Sequence, residues 1–407
     1  MIVLLGTAMF VFMGFAFDLG RLYVNRAELK TIANAMALAA AQNLIGTEQS
    51  TANAQTAAQQ AASVVGGRGS KYDFGGIALG EGSANLTSEV PVPTFFDTLA
   101  AALGTADGAG SETSGAAAKH VRVEVRAEAP LVFFSLLSIA QERKVALATS
   151  AVAGVSAPLC TACNIEPLAL GAPSQEDIVD FGFVRGQKYT LYFSCNGQPQ
   201  PQALGNGGTR LPYLLINRLN LEAASFTDEA TQLFRNGLGG IPSSNNQALA
   251  CMNIGTPEIS WVSASPRLCN SAAPNTSAQQ FVCGLNNRFD SALNPPCDQI
   301  PEAETLATGN PVDTDLADYD DFTAYTGTGR RIITIPIVDI LSSTTEMNIL
   351  GFRQFLLSPN PDAASLNPGD AASRVLVTYI GNPMPLRQGR FGSCGITSGP
   401  GKVVLHQ

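Results

Sequence analysis

Charge is in short supply. Asp, Glu, Lys and Arg make up 14% of the 407 residues, where an ordinary soluble domain carries roughly 25%. The balance that remains is acidic, at −9, and no basic cluster interrupts it. That combination excludes nucleic acid as a partner, because neutralising phosphates takes grouped Lys and Arg. Imidazole is rarer still: the chain has 2 histidines, His120 and His406. A Ser-His or Cys-His nucleophilic centre therefore has little to draw on. The sequence also holds no G-x-S-x-G, phosphate-loop or H-E-x-x-H pattern. Cysteine is absent from residues 1–159, and all 8 cysteines fall between positions 160 and 394. An even number confined to one region suggests disulfides made in an oxidising compartment.

What is present begins with an apolar wall. Residues 1–17 read MIVLLGTAMFVFMGFAF, with Thr7 as the one hydroxylated residue and no charge. As a helix rising 1.5 Å per residue it spans about 25 Å, close to a hydrocarbon core of roughly 30 Å. A cleaved signal peptide would carry a basic n-region and a shorter apolar run, so residues 1–18 are expected to be a membrane anchor. Arg21, Arg26 and Lys30 follow the run and nothing basic precedes it. The positive-inside rule would then put the downstream chain in the cytoplasm, whereas the cysteines argue for an oxidising side. A short basic leader ahead of residue 1 would resolve the conflict, and the upstream reading frame would show it.

Downstream, residues 19–157 are expected to form one module. Leu29, Ile32, Ala33, Met36, Ala37 and Ala40 recur at helical spacing, and their small side chains leave a smooth face. Gly46 breaks the helix, and an Ala/Gln-rich helix over 48–64 resumes it. Short strands are expected over 77–79 and 89–92, and a helix over 94–103. In His120-Val121-Arg122-Val123-Glu124-Val125-Arg126 the polar residues share one face and the valines the other, as in a half-buried strand. That pattern places His120 on a solvated face. A short apolar helix is expected over 131–139 and a second strand over 143–155. A long helix followed by a small antiparallel sheet is a pilin-like α+β arrangement.

Residues 158–407 are expected to form a mostly β, cysteine-rich region. Tyr189, Leu191 and Phe193 alternate with Thr190, Tyr192 and Ser194, and further strands are expected over 331–341, 374–380 and 402–406. Pro336 suits an edge strand. Residues 245–311 look like loop, and His406 looks mobile or edge-exposed.

The junction after the apolar wall carries a more specific signal. Asp18, Gly20, Arg21, Tyr23, Arg26, Glu28 and Leu29 are followed by an alanine-rich stretch over 33–41. This resembles the TadE/TadG-like proteins of tight-adherence (Flp) pilus assembly, whose junction reads approximately D-x-G-R-x-Y-x-x-R-x-E-L-Q and then an Asp-Ala-Ala run. Lys30 stands where glutamine is usual and Asn34 where aspartate is usual; the absent basic leader is a third departure. The match covers roughly the first tenth of the chain. Some members carry a von Willebrand A-type domain, but no Asp-x-Ser-x-Ser pattern occurs here. The resemblance implies a single-pass protein of the bacterial inner membrane with its bulk in the periplasm. Its partners would be the lipid bilayer and other pilus-assembly or envelope proteins, and its role structural or scaffolding. It implies no catalytic residue, cofactor, metal or small-molecule substrate. Asp18 would sit where the apolar run meets water, with Arg21 within helical pairing distance and Tyr23 at the interfacial aromatic belt.

The cysteines admit two other uses. Cys160-Thr161-Ala162-Cys163 is a C-x-x-C pair, which can serve as a thiol–disulfide redox centre or half a zinc site. No long amphipathic helix follows it and no second C-x-x-C exists. Cys160, Cys163, Cys195, Cys251, Cys269, Cys283, Cys297 and Cys394 are therefore read as structural disulfide cysteines, on the order of a hundred pairings being open. Residues 289–329 hold nine acidic and no basic residues, with Asp313, Asp315, Asp318, Asp320 and Asp321 grouped. Such a loop is either solvated or a Ca²⁺ site of a surface adhesin.

Overall fold

The computed structural model describes residues 2–67, 92–105, 113–131, 133, 144–194, 201–203, 209–217, 251–260, 281, 285, 288, 322–327, 329–358 and 375–406. The chain divides into two compact units, residues 1–155 with 403–407, and residues 156–402. It is a mixed α+β protein, mostly β.

In the first unit the expected anchor and the helix after it are one element. Helix α1 runs Ile2–Ala41 without a break. It ends near Asn43, whose side-chain amide donates to the Ala39 carbonyl, and Gly46 turns the chain at φ 79°. Helix α2 (Ser50–Gly67) folds back on α1. Ala54, Ala58 and Ala62, one helical turn apart, are buried against the stripe that includes Leu29, Ala33, Met36, Ala37 and Ala40. Alanine at these positions lets the two backbones approach, which a larger residue would prevent.

The stripe also packs on a four-stranded sheet in which β1 (Thr94–Phe96), β2 (His120–Pro130), β3 (Lys144–Val155) and β15 (Val403–His406) follow in that order. Strands β2 (His120–Pro130) and β3 (Lys144–Val155) form its antiparallel centre. Val121, Val123 and Val125 are buried against α1 as the alternation requires, each burial worth about 1.5–3 kcal/mol. The edge strand β1 (Thr94–Phe96) corrects the expected helix over 94–103. Two adjacent phenylalanines pair with β2, and the helix starts only at Leu99. Thr98 caps this helix α3 (Leu99–Leu103) by accepting the Ala101 N–H, and Gly104 closes it in the left-handed conformation. The expected strand over 77–79 lies outside the described residues, as does all but Val92 of that over 89–92. Of the helix expected over 131–139, only residues 131 and 133 are described.

The opposite edge is β15 (Val403–His406), which pairs with β3. The sequence reading grouped these residues with the second region. Their register puts Val403 and Leu405 against the α1-facing core and His406 on the other face. There His406 meets His120, with ring centroids 5.6 Å apart at 73°. His120 is therefore half-buried over Gly154 instead of solvated. His120 Nδ1 and His406 Nε2 are both buried without a hydrogen-bond partner. Burial lowers the His120 pKa below 6.5; His406 and Lys119 push it the same way and Asp97 opposes them. A folded-state pKa below the unfolded value means full stability above about pH 6.5 and loss as pH falls through the folded value. The first unit is expected to melt at a lower temperature at about pH 5 than at about pH 7.5, and His120→Gln to flatten that difference. Equal pH slopes for the two proteins would refute the assignment.

The second unit is built on a closed barrel. Strand β5 (Leu168–Gly171) lies between β11 (Ile332–Val338) and β8 (Thr209–Leu215); β8 pairs with β6 (Lys188–Phe193), β6 with β13 (Val375–Gly381), and β13 with β12 (Met347–Ser358). Strand β12 also pairs with β11, which closes the ring. Short strands β7 (Gln202–Ala203) and β10 (Pro257–Glu258) add to β8 and β12. One face of all six ring strands contributes to a single core, including Leu170, Leu191, Tyr213, Ile335, Phe355 and Val377. Side chains from every strand can meet in this way only inside the ring, so the barrel is filled. Phe183 packs there against Tyr189, Phe355 and Tyr379 at centroid distances of 5.3–5.6 Å.

Pro336 is not on an edge, since β11 has neighbours on both sides. The Thr334 and Val338 carbonyls accept from Glu166 and Ala172 on the β5 side. Pro336 is in phase with them, so its missing N–H leaves the ladder to β12 intact. On the outer face, a three-stranded sheet of order β14-β4-β9 covers the barrel. It comprises β14 (Gly389–Arg390), β4 (Thr161–Cys163) and β9 (Cys251–Asn253). Ala162 and Met252 bury against Leu214, Ile216 and Phe352. Strands β9 and β10 thus fall inside the stretch 245–311 read as loop.

Arg353 and Glu166 are among the charged residues buried in this unit. The Arg353 guanidinium on β12 donates to the Ile178, Val179 and Phe352 carbonyls at 3.2, 2.6 and 2.7 Å and lies 4.3 Å from the Phe181 ring. It thereby holds the loop that leads Phe181 and Phe183 into the barrel core. Glu166, fully buried, accepts from Arg288 at 3.0 Å, and Arg288 also donates to the Arg330 carbonyl. Burial raises the Glu166 pKa and Arg288 opposes the rise.

Candidate functional site

The residues singled out at the junction lie on one helix but not on one face. Asp18 and Leu29 point inward, with Asp18 only 3% exposed. Arg21 and Glu28 are half-buried, while Gly20, Tyr23 and Arg26 face outward. They form no single pocket. The inward series Gly14, Asp18, Asn25, Leu29, Ile32 and Ala33 runs down the side of α1 that meets the rest of the unit. Lys30, one of the departures noted above, reaches from α1 to the Ser150 carbonyl of β3 at 2.7 Å. A long cation there ties the helix to the sheet.

Asp18 has a defined task. Both its carboxylate oxygens accept the backbone N–H of Phe133, at 3.2 and 3.1 Å. The Phe133 ring occupies the space where a Cβ on Gly14 would stand, and it packs on Phe10 at 5.8 Å between centroids. Phe10, Gly14 and Asp18, each four residues from the next, form a track for one residue of the β2–β3 connection. Gly14 and Phe133 were missed in the sequence reading. A lone glycine in a run of bulky apolar residues was the available sign, since such a glycine marks a close approach. Gly20 differs: nothing lies within 4 Å of a Cβ built on it.

The outward side of α1 is apolar and open. Phe12, Met13, Phe15, Phe17 and Leu19 are all exposed, and Tyr23 is 78% exposed. Among the described residues no helix is long and apolar enough to cross a membrane.

Residues 1–43 match the family model described as putative Flp pilus-assembly TadE/G-like. The matched segment thus contains the junction, the Phe133 track and most of the stripe that packs on α2 and the sheet. Compared with curated proteins and with solved structures, the chain has no match. The family described is one of pilus assembly, which points to a cell-envelope protein among other pilus or envelope proteins.

The cysteine expectations resolve in part. Cys160 is bonded to Cys394 and Cys163 to Cys251, the latter bond joining directly paired residues of β4 and β9. The C-x-x-C sulfurs belong to separate bridges, which removes the basis for a redox pair closing on itself. Among the described residues no cysteine is free. Cys195, Cys269, Cys283 and Cys297 lie outside the described residues, as does the aspartate group over 313–321.

Proposed function

We propose that this chain is a membrane-anchored component of Flp pilus assembly, with the disulfide-bonded second unit as an interaction module on the oxidising side of the inner membrane. The observation that carries this reading is the TadE/G-like match over 1–43, on the helix whose outward side chains over 9–24 are large, apolar and open. Apolar surface of this extent on a helix is unfavourable in water and is covered by lipid or by partner helices. The two disulfides support an extracytoplasmic location for the second unit. The filled barrel favours a rigid scaffold over a ligand container, because its interior is occupied by side chains.

An in-frame deletion in the native host tests this. Surface pili, counted by electron microscopy, are expected to fall at least tenfold without the chain and to return with the full chain. Membrane fractions are expected to retain the full chain after alkaline carbonate washing. Unchanged pili in the deletion strain would refute the assembly role, and release by carbonate would refute the anchor.

A further inference from the structure

We propose that residues 144–151 of strand β3 are an open sheet edge that takes up an extended segment of a partner protein, acidic at both ends, as an added antiparallel strand.

Strand β3 pairs along its whole length with β2, but on its other side β15 covers only residues 152–155. Among the described residues no strand pairs with 144–151 on that side. The Ser156 N–H donates to the Lys402 carbonyl, and from there both ladders run without a register shift. Backbone groups alternate sides along a strand. Lys144, Ala146, Ala148 and Ser150 therefore turn their N–H and C=O groups away from β2. The Lys30 ammonium caps one of these groups, donating to the Ser150 carbonyl at 2.7 Å.

Native sheets blunt such edges with bulges, prolines or long charged side chains. Here Ala146 and Ala148 are small and exposed, and the pairing with β2 has no bulge. On the side that faces α1, Val145, Leu147 and Thr149 are only half-buried, and Leu147 lies at the margin of the α1 core. A strand laid alongside, with apolar residues at alternate positions, would complete that burial while its main chain satisfies the edge. An antiparallel approach continues the track of β15 and gives the stronger ladder.

Charge selects the ends. Lys144 is exposed at one end of the edge, and the Lys30 ammonium lies at the other. Pairing with the same edge of a second copy would set Lys144 of each copy opposite the Lys30–Ser150 contact of the other. Like charges would then meet twice. A segment with an acidic residue at each end meets both lysines instead.

The probe is the peptide acetyl-Glu-Val-Thr-Val-Thr-Val-Glu-amide, added to the full chain in detergent micelles. Residue-resolved hydrogen exchange is expected to show the amides of Ala146 and Ala148 exchanging at least tenfold faster than those of Leu147 and Thr149 in the free chain. The peptide is expected to slow Ala146 and Ala148 at least tenfold. N-methylation of its two threonines, which fall opposite Ala146 and Ala148, should abolish binding, and N-methylation of its valines should not. Lysine at both peptide ends should weaken binding at least tenfold. So should Ala148→Pro, at unchanged melting temperature, because it removes an outward N–H and leaves the ladder to β2 whole. Slow exchange at Ala146 and Ala148 in the free chain would mean that the chain covers its own edge. Slowing that grows with protein concentration would assign the edge to a second copy. Binding indifferent to N-methylation and to end charge would not be strand addition. Each of these results, like absence of binding, overturns the proposal.

Discussion

Arg288→Met is expected to destabilise the second unit by about 3–5 kcal/mol at neutral pH, the cost of stranding one member of a buried ion pair. Glu166 is fully buried and receives 3.0 Å hydrogen bonding from the Arg288 guanidinium, while its other oxygen has no hydrogen-bond partner. Burial alone raises its pKa; Arg288 is the group that offsets the rise. Without the guanidinium the carboxyl moves further up. A folded-state pKa above the unfolded value contributes stability that is complete below about pH 4.5 and is lost as pH rises through the folded value. The deficit of Arg288→Met should therefore be larger at about pH 8 than at about pH 5. Adding Glu166→Gln should recover part of it, because a neutral amide removes the stranded charge. Urea unfolding of the three proteins at both pH values checks the prediction. A pH-independent loss, unrescued by Glu166→Gln, would show that Arg288 acts through its contact with the Arg330 carbonyl instead.

Removing the Cys160–Cys394 bridge by a double alanine substitution is expected to cost about 5 kcal/mol, and removing Cys163–Cys251 slightly less, from loop-closure entropy in the unfolded chain. The first closes a separation of 234 residues and the second one of 88, and the logarithmic dependence makes the difference small. Both tie β4 into place: Cys163 to the paired strand β9, Cys160 to the segment that follows β14. Loss of either should loosen the sheet that covers the barrel while the ring, which contains neither bridge, persists longest. Hydrogen exchange should show early loss of protection in Thr161–Cys163 and Cys251–Asn253 and later loss in Ile332–Val338. Uniform loss in one step would mean that sheet and barrel unfold as a unit. The same bridges make a functional cycle of reduction at Cys160 and Cys163 unattractive, since opening them is expected to loosen the outer sheet.

Elements whose physics is local were legible in the sequence. The helical spacing of Leu29, Ile32, Ala33, Met36, Ala37 and Ala40 gave the buried stripe of α1, and the alternating valines of β2 gave the face that meets it. The junction from Asp18 to Leu29, within the matched stretch 1–43, was legible because its polar residues stand out against an apolar background. Strand β12 was not. It is buried on both faces and includes Arg353 and Gln354, so it shows neither alternation nor an unbroken apolar run. Its polar side chains are tolerated because tertiary partners exist: carbonyls of the 172–184 loop for Arg353, and Met384 and Thr334 for Gln354. Pro336 misled for a related reason, since which neighbour its nitrogen faces is decided by the ring and not by the strand.

The sequence by itself determined the long helix, the charge boundary at Asp18, the β-rich cysteine region and the resemblance of the first tenth of the chain, because periodicity, composition and short motifs are properties of neighbours along the chain. Only the tertiary structure decided which cysteines join, that six strands close a filled ring, that His406 returns to the first sheet to meet His120, and that Asp18 holds Phe133. Each of these brings together residues between 88 and 286 positions apart or closes a ring across the whole second unit. Such pairings are selected by burial and register in the folded chain, where no local pattern records them.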